Sequence, residues 1–234
     1  MNEIYTRVIN LIGEENFNKI RSTTVLVAGL GGVGGYSLEA LVRSGIGKVV
    51  IIDKDRVDIT NLNRQVIATQ DTIGKSKTTA FTERIKSIDP STEVVAINDF
   101  LSEDNIEEVF SYDIDYVVDA IDTMTSKISL WKYCQSHNIP FISSLGMARK
   151  LDPTKIKITT LNQTEYDPMA KALRSLARKN GRSLNIPVVF TTERPVEDSL
   201  SQKSNLGSMI FVPATAGLLA ANYIIRDIID NEKR

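Results

Sequence analysis

Closely spaced glycines follow a short apolar run, in the spacing of a phosphate-binding loop. TVLVA is followed by GLGGVGG, which places Gly29, Gly31 and Gly34 in the pattern G-x-G-x-x-G. The first glycine permits a tight turn, and the second lets backbone N–H groups approach a phosphate. The third lets a helix pack closely, with its positive N-terminal end toward the anion. The loop, including Gly32, therefore predicts a nucleotide site.

Acidic residues follow the next apolar run, KVVII. Asp53 stands directly after it, at the distance along the chain where a ribose-binding carboxylate is expected. We expect Asp55 to belong to the same site. Taken alone, the loop and these acids are more commonly found in an enzyme that binds an intact NAD dinucleotide. A tight glycine turn that binds no ligand is the plain structural alternative.

Cationic and amide side chains come next. The segments DKDRVDITNLNRQ and IGKSKTTA contain Arg64 and Lys77, with Asn61 and Asn63 as further hydrogen-bond donors. An intact dinucleotide needs no additional cations at its pyrophosphate. A guanidinium and an ammonium are instead suited to the charge that develops when a triphosphate is split. Each residue taken singly could also be a solvated surface charge.

A further acidic pair follows the apolar run YVVDA. Asp119 lies at its end and Asp122 just beyond, where ligands bind in open α/β sheets. We expect Asp122 to hold Mg²⁺, because Mg²⁺ bound to phosphates takes only one or two carboxylates. The alternative is that Asp122 caps the following helix.

The elements that must position these side chains alternate along the first half of the chain. Nearly all-apolar strands alternating with helices predict a Rossmann-like α/β fold, a mostly parallel sheet flanked by helices. The predicted strands are 24–28, 48–52, 93–97, 116–120 and 141–143, and the predicted helices are 33–44, 74–88, 103–110 and 126–137.

The second half has a different rhythm. Its predicted elements are an exposed strand at 155–160, a basic helix at 167–180, a strand at 187–192, a loop at 195–205 and a closing helix at 214–229. No linker separates the halves. We therefore predict one domain spanning 1–234, with a nucleotide-binding half (1–150) and a smaller substrate-binding half (151–234).

The composition excludes several classes of protein. The 234 residues carry a net charge of −1 and one cysteine, Cys134, which excludes an internal disulfide and a multi-cysteine zinc site. No long apolar stretch or signal-peptide pattern occurs, so we expect a cytoplasmic protein with no membrane contact. Any nucleic-acid partner requires a local basic patch, because the net charge is near zero.

The joint order of these motifs resembles the ubiquitin-activating-enzyme superfamily of ThiF/MoeB type, over residues 1–150. This resemblance implies that the glycine loop and Asp53 hold ATP. It implies that Asn61, Arg64, Lys77 and Asp122 surround its phosphates and Mg²⁺. The opening segment YTRVINLIGEENFNKI resembles that family's N-terminal helix. Arg7 there matches an arginine that reaches the ATP of a second subunit, so a homodimer is implied; the alternative is an exposed helix charge.

The absence of CxxC pairs and of an acceptor cysteine favours one branch of this family. Members that activate sulfur-carrier proteins have two CxxC pairs, and many have an acceptor cysteine, whereas Cys134 is expected to be buried and inert. The stretches LIGEENFNKI, IIDKDRVDITNLNRQ, VVDAIDT and FVPATAGLLAA resemble the tRNA threonylcarbamoyladenosine dehydratases. Some of these have a cysteine before the last helix, where this chain has SQKSNLGSM and none.

The branch implies that ATP activates the threonyl carboxylate of a modified adenosine, whose own carbamoyl group then closes a ring. Lys171, Arg174 and Arg178 lie on one side of the 167–180 helix and could bind tRNA phosphates, or form a solvated face. Three rivals remain: adenylation of the C-terminal glycine of a ubiquitin-like sulfur carrier, an NAD-binding oxidoreductase and a non-catalytic nucleotide scaffold. A monovalent cation and a sulfur-transfer or carrier-protein partner are left open.

Overall fold

Seven strands form one sheet in a computed structural model, which describes residues 3–197 and 206–230. The order is β3-β2-β1-β4-β5-β7-β6, and every pair is parallel except β6 with β7. This confirms the predicted α/β class. The strands are β1 (Thr24–Ala28), β2 (Lys48–Ile52), β3 (Glu93–Ile97), β4 (Tyr116–Asp119), β5 (Phe141–Ser144), β6 (Ile156–Thr160) and β7 (Pro187–Thr191).

Eight α-helices accompany the sheet within the described residues. They are α1 (Thr6–Ile12), α2 (Glu14–Arg21), α3 (Gly34–Arg43), α4 (Lys77–Ile88), α5 (Ile106–Phe110), α6 (Met124–Ser136), α7 (Pro168–Lys179) and α8 (Phe211–Asp230). Ser76 caps α4, which therefore begins after the predicted residue 74. The closing helix begins at Phe211, before the predicted residue 214. Most of the predicted loop, 198–205, lies outside the described residues.

The helices cover both faces of the sheet, because alternate strand residues point to opposite sides. Val25 and Val27 join the core under α3, α4 and α8. Leu26 and Ala28 join a second core under α5, α6 and α7. No helix among residues 3–197 and 206–230 is long and apolar enough to span a membrane.

The connections place a crevice at the carboxyl end of the sheet. From β1 the chain proceeds outward through β2 to β3 and then returns to β4 on the other side of β1. Such a switch in strand order opens the crevice in which ligands of doubly wound sheets bind. The glycine loop, Asp53 and Asp122 all follow carboxyl ends of these strands, so the fold brings the predicted motifs to one edge.

Candidate nucleotide site

Two of the glycines are required by close packing of the loop against the end of β4. Gly29 has φ +88°, and a Cβ on it would lie 2.7 Å from the carbonyl oxygen of Ala120. A Cβ on Gly34 would lie 1.8 Å from the carbonyl oxygen of Gly29. No other residue fits at either position, so the loop is held tightly between β1 and α3.

The middle of the loop is more open. A Cβ on Gly31 would meet only the side-chain nitrogen of Gln65, at 4.0 Å, whereas one on Gly32 would meet Pro213 of α8 at 3.2 Å and Arg64 Cγ at 3.7 Å. The side-chain oxygen of Gln65 is buried and has no hydrogen-bond partner among the described residues. Space and an unsatisfied polar atom therefore occur together beside Gly31, which is a fitting arrangement for a polar ligand.

The predicted acids and lysine meet below the loop. Asp53 Oδ2 accepts a hydrogen bond from the Leu30 N–H at 2.6 Å, and Asp53 Oδ1 accepts one from the Asp55 N–H at 2.8 Å. Lys77 Nζ lies 2.9 Å from Asp55 Oδ2 and 3.5 Å from Asp53 Oδ2. The Lys77 side chain is 6% exposed and that of Asp55 56% exposed. Lys77 and Asp55 are called the open pair below.

Arg64 and the two asparagines form a neighbouring group. Arg64 Nη1 donates to the Thr60 carbonyl oxygen at 2.8 Å and to Asn63 Oδ1 at 3.0 Å. Asn63 Nδ2 donates to the carbonyl oxygen of Ser208 at 2.9 Å, which links this turn to the segment before α8. Asn61 is buried and its Oδ1 accepts from the Asp58 N–H at 3.2 Å, closing its own turn. The structure thus gives the Asn61 oxygen a capping role beside its predicted ligand role.

A second lysine–aspartate pair, called the closed pair below, was missed by sequence reasoning. Lys127 Nζ lies 2.8 Å from Asp119 Oδ2, and both side chains are 0% exposed. Asp119 also accepts hydrogen bonds from Trp131 Nε1 and Ser143 Oγ, each at 2.7 Å. Burial lowers the pKa of Lys127, although Asp119 acts in the opposite direction. The signal was present in α6, because Lys127 shares a helix face with residues at helical spacing that are all buried: Leu130, Trp131 and Cys134.

Asp122 lies just beyond this pair. Its side chain is exposed and accepts a hydrogen bond from the Thr123 hydroxyl at 3.2 Å. The Ile121 N–H donates to Asp119 Oδ1 at 3.2 Å, so the closed pair anchors the turn that presents Asp122. Asp122 does not cap α6, whose N-cap residue is Thr123, with no side-chain cap hydrogen bond.

Further buried charges hold the substrate half against the carboxyl end of β5. Asp167 Oδ2 accepts from the Gly146 N–H at 3.2 Å, and its Oδ1 accepts from the Ala170 N–H at 2.9 Å. Lys150 is buried and donates to the Glu193 carbonyl oxygen, and burial lowers the pKa of this lysine. Sequence reasoning did not single out these residues.

Arg7 lies away from the nucleotide site of its own chain. It is exposed on α1, close to Tyr5, whose hydroxyl donates to the Val42 carbonyl oxygen at 3.0 Å and to Asp89 Oδ2 at 2.9 Å. Val42 ends α3 and Asp89 follows α4, and both helices begin at the glycine-loop end. At 1.5 Å per residue, their far ends lie roughly 15 Å from that end. Arg7 therefore lies too far away to reach the nucleotide site of its own chain.

The predicted basic stripe on α7 is divided. Lys171 and Arg178 are exposed. Arg174 instead donates to the carbonyl oxygens of Leu161 at 3.3 Å and Thr164 at 3.0 Å. Its guanidinium is thus engaged by its own chain, because the turn before α7 offers carbonyl oxygens that need donors.

Cys134 has the properties expected of an inert thiol. It is fully buried in α6, beyond the closed pair, and burial raises its pKa well above the ordinary range. A buried neutral thiol is a poor nucleophile. The thiol is therefore poorly suited to act as a nucleophile.

The chain matches known proteins along nearly its whole length. A model of the ThiF family matches residues 5–233. A tRNA threonylcarbamoyladenosine dehydratase from Bacillus subtilis is 40% identical over 232 residues, covering 93% of this chain and 91% of the relative. The Escherichia coli protein of the same name is 33% identical over 248 residues, covering 96% and 92%.

Solved structures give the same result. The Escherichia coli tRNA N6-threonylcarbamoyladenosine dehydratase in complex with ATP has a TM-score of 0.91 and 34% identity, covering 97% of this chain and 94% of that chain. The complex of the same enzyme with AMP has a TM-score of 0.90 and 35% identity, covering 96% and 93%. The similarity therefore extends over both halves of the molecule.

Proposed function

This chain belongs to the ThiF family, and on this premise we propose that it catalyses the ATP-dependent dehydration of N6-threonylcarbamoyladenosine in tRNA. The threonyl carboxylate attacks the α-phosphate of ATP and becomes an acyl adenylate, with release of pyrophosphate. The carbamoyl group of the same nucleoside then displaces AMP and closes a ring. Both reacting groups belong to one molecule, so no enzyme nucleophile is needed.

The observation that carries this proposal is a nucleotide-type site in a chain whose single thiol is inaccessible. The glycine loop, Asp53 and Lys77 meet at the carboxyl end of the sheet, whereas Cys134 is buried in α6. An inaccessible thiol fits a reaction in which the acceptor of the activated carboxylate belongs to the substrate. Attack at the γ-phosphate, giving an acyl phosphate, is the alternative first step.

The loop and its neighbours fit ATP. The open side of Gly31 and the unpartnered oxygen of Gln65 provide space and polarity, and Asp53 would accept hydrogen bonds from ribose. Lys77 would exchange the exposed carboxylate of Asp55 for a phosphate oxygen. Arg64, whose stem lies against Gly32, would join it in stabilising the charge of the transition state.

Mg²⁺ would be held at Asp122. Asp122 is exposed just beyond the carboxyl end of β4, and Mg²⁺ bound to phosphates takes only one or two carboxylates. The ion supplies neutralisation of phosphate charge when bound. A monovalent cation remains an open part of this proposal.

The partners follow from the same scheme. tRNA would dock on the substrate half, with Lys171 and Arg178 at its phosphates. A homodimer would bring Arg7 to the nucleotide of a second copy, the role that the family resemblance implies for this arginine. We place the reaction in the cytoplasm, and we assign no carrier-protein partner.

The test is a product assay with purified protein, ATP, Mg²⁺ and bulk tRNA that carries the modified nucleoside. Digested tRNA is expected to contain a nucleoside lighter by one water. Lys77→Ala and Asp122→Ala should each abolish this product. Lys75→Ala serves as the matched control, because Lys75 lies two residues away and pairs with Glu83 on the surface.

Two results would overturn the proposal or part of it. One is AMP formation that requires a small carrier protein and leaves tRNA unchanged, which would support the sulfur-carrier rival. The other is a full product yield from both site variants, which would leave the reaction in place and overturn the part of the proposal that assigns ATP and Mg²⁺ to Lys77 and Asp122.

A further inference from the structure

An exposed aromatic–arginine pair lies on the substrate half. The Tyr166 side chain stands just before α7 and is 49% exposed. The guanidinium carbon of Arg194 lies 4.6 Å from the centroid of the Tyr166 ring, in a cation–π contact. Both residues are largely open to solvent, so a planar surface of mixed aromatic and cationic character is available to a ligand.

The pair lies at the same end of the sheet as the glycine loop. Arg194 follows the carboxyl end of β7. Tyr166 precedes Asp167, which binds the backbone of Gly146 just after the carboxyl end of β5. In the sheet, β5 lies between β7 and β4, and β4 carries the closed pair. The pair therefore stands on the substrate side of the crevice.

The backbone around the pair is held in place. On one side, Thr164 accepts hydrogen bonds from Arg174, and Asp167 caps α7. Around Arg194, the Glu193 carboxylate accepts from the N–H groups of Leu151 at 3.0 Å and Asp152 at 3.0 Å. The two exposed side chains are thus mounted on fixed supports, which reduces the entropy lost when a ligand binds.

Tyr166 also has an uncommon backbone conformation. Its φ is +55°, in the left-handed region that bulky side chains rarely adopt. Such strain persists only where the surrounding structure enforces it, and it occurs preferentially at ligand sites. At Tyr166 this conformation sets the direction in which the ring leaves the backbone, toward its contact with Arg194.

We propose that Tyr166 and Arg194 form a stacking platform for an unpaired base of the RNA substrate, next to the nucleoside that reacts. This inference rests on the proposed function. Proteins that read single-stranded RNA loops stack splayed bases on aromatic rings and on arginine guanidinium planes. The Tyr166–Arg194 pair offers both surfaces with a positive charge beside them. The Lys171 and Arg178 phosphate contacts would then continue the binding surface along α7.

The test compares RNA affinity with ATP affinity in four purified proteins. They are the wild type, Tyr166→Ala, Tyr166→Phe and Tyr112→Ala. Tyr112 provides a matched control, because its ring lies 6.0 Å from the Lys48 ammonium in a similar pair at the amino end of the sheet. Fluorescence anisotropy with a labelled tRNA gives Kd at several salt concentrations, and ATP binding is measured separately.

Tyr166→Ala is expected to raise the RNA Kd about ten-fold, the effect of losing one stacked base. Its ATP Kd and the slope of log Kd against log salt should not change, because no phosphate contact is lost. Tyr166→Phe and Tyr112→Ala should bind RNA like the wild type.

The outcomes separate this inference from the proposed function. Wild-type protein that neither binds nor dehydrates tRNA overturns the proposed function. Active wild type with an unchanged RNA Kd in Tyr166→Ala overturns the platform alone. Equal weakening of RNA and ATP binding in Tyr166→Ala would assign Tyr166 a structural role and also overturn the platform.

Discussion

Two lysine–aspartate pairs stand at the carboxyl end of the same sheet, and they differ in access to water. In the closed pair, Lys127 and Asp119 are both fully buried, and the hydrogen bonds to Asp119 come from side chains of the core. In the open pair, Lys77 is nearly buried, but its nearer partner, Asp55, is mostly exposed. The buried surroundings of the closed pair are therefore fixed, whereas Lys77 of the open pair can exchange its exposed partner for another group.

This difference in burial gives the two pairs different roles. A buried charge without its partner is costly, so the closed pair must stay intact and holds the turn that carries Asp122. An exposed carboxylate loses little by returning to water, so Lys77 can leave Asp55 for a phosphate at small cost. We infer that the closed pair mainly affects stability, whereas the open pair mainly affects activity.

Breaking the closed pair should have the largest effect on folding. Lys127→Met leaves the Asp119 charge buried and unpaired, and we expect a loss of about 3–5 kcal/mol in the free energy of unfolding. Urea unfolding followed by tryptophan fluorescence measures this loss, since Trp131 lies beside Asp119.

The double variant Lys127→Met with Asp119→Asn is the control. It removes both charges while keeping an acceptor for Trp131 and Ser143, so it should recover a large part of the lost stability. A double variant no more stable than Lys127→Met would mean that the charge pairing itself is unimportant.

The open pair should show the reverse pattern. Lys77→Met should lower kcat/KM for tRNA dehydration about 100-fold or more, because a preorganised charge at the phosphates is lost. Its free energy of unfolding should fall less than that of Lys127→Met, since Asp55 remains solvated and Asp53 keeps its hydrogen bonds from the Leu30 and Asp55 N–H groups. Lys75→Ala should leave both quantities near wild type. A Lys77→Met protein as unstable as Lys127→Met would erase the distinction between the pairs.

A buried tyrosine at the amino end of the sheet, Tyr5, should make the free energy of unfolding depend on pH. Burial and the hydrogen bond to Asp89 raise the pKa of Tyr5 from its ordinary 10.0 to about 12. Folding therefore favours the neutral phenol, and this stabilisation is complete below pH 10 and lost as pH rises to about 12. Tyr5→Phe should lose less stability than the wild type between these values in alkaline unfolding titrations. Identical slopes for the two proteins would contradict the assignment.

The smallest effects are expected on α7, where exposed and engaged arginines stand side by side. Arg178→Ala should weaken tRNA binding slightly and reduce the salt slope by about one, without changing stability. Arg174→Ala should leave the salt slope unchanged but cost about 1–3 kcal/mol, because the carbonyl oxygens of Leu161 and Thr164 lose their donor. Filter binding and urea unfolding distinguish the two. A reduced salt slope in Arg174→Ala would show that Arg174 does contact RNA phosphates.

Local patterns predicted much of the fold because buried parallel strands are continuous apolar runs. TVLVA and KVVII were therefore assigned as strands with the same bounds that the structure gives them. The helix α8 begins at Phe211, three residues before the predicted residue 214, and Pro213 lies in its first turn. Proline is tolerated in the first turn of a helix, where its missing N–H has no intrahelical partner.

The sequence by itself determined the class of fold, the phosphate-type loop and the acids and cations that follow the strands, because spacing and strand order fix these along the chain. Only the tertiary structure decided which charged side chains are buried and which partners they have. Lys127 contacts Asp119, Arg174 donates to Thr164 and Arg194 contacts the Tyr166 ring, in each case between different segments. Periodicity describes one segment at a time, so it cannot report the partner that another segment supplies.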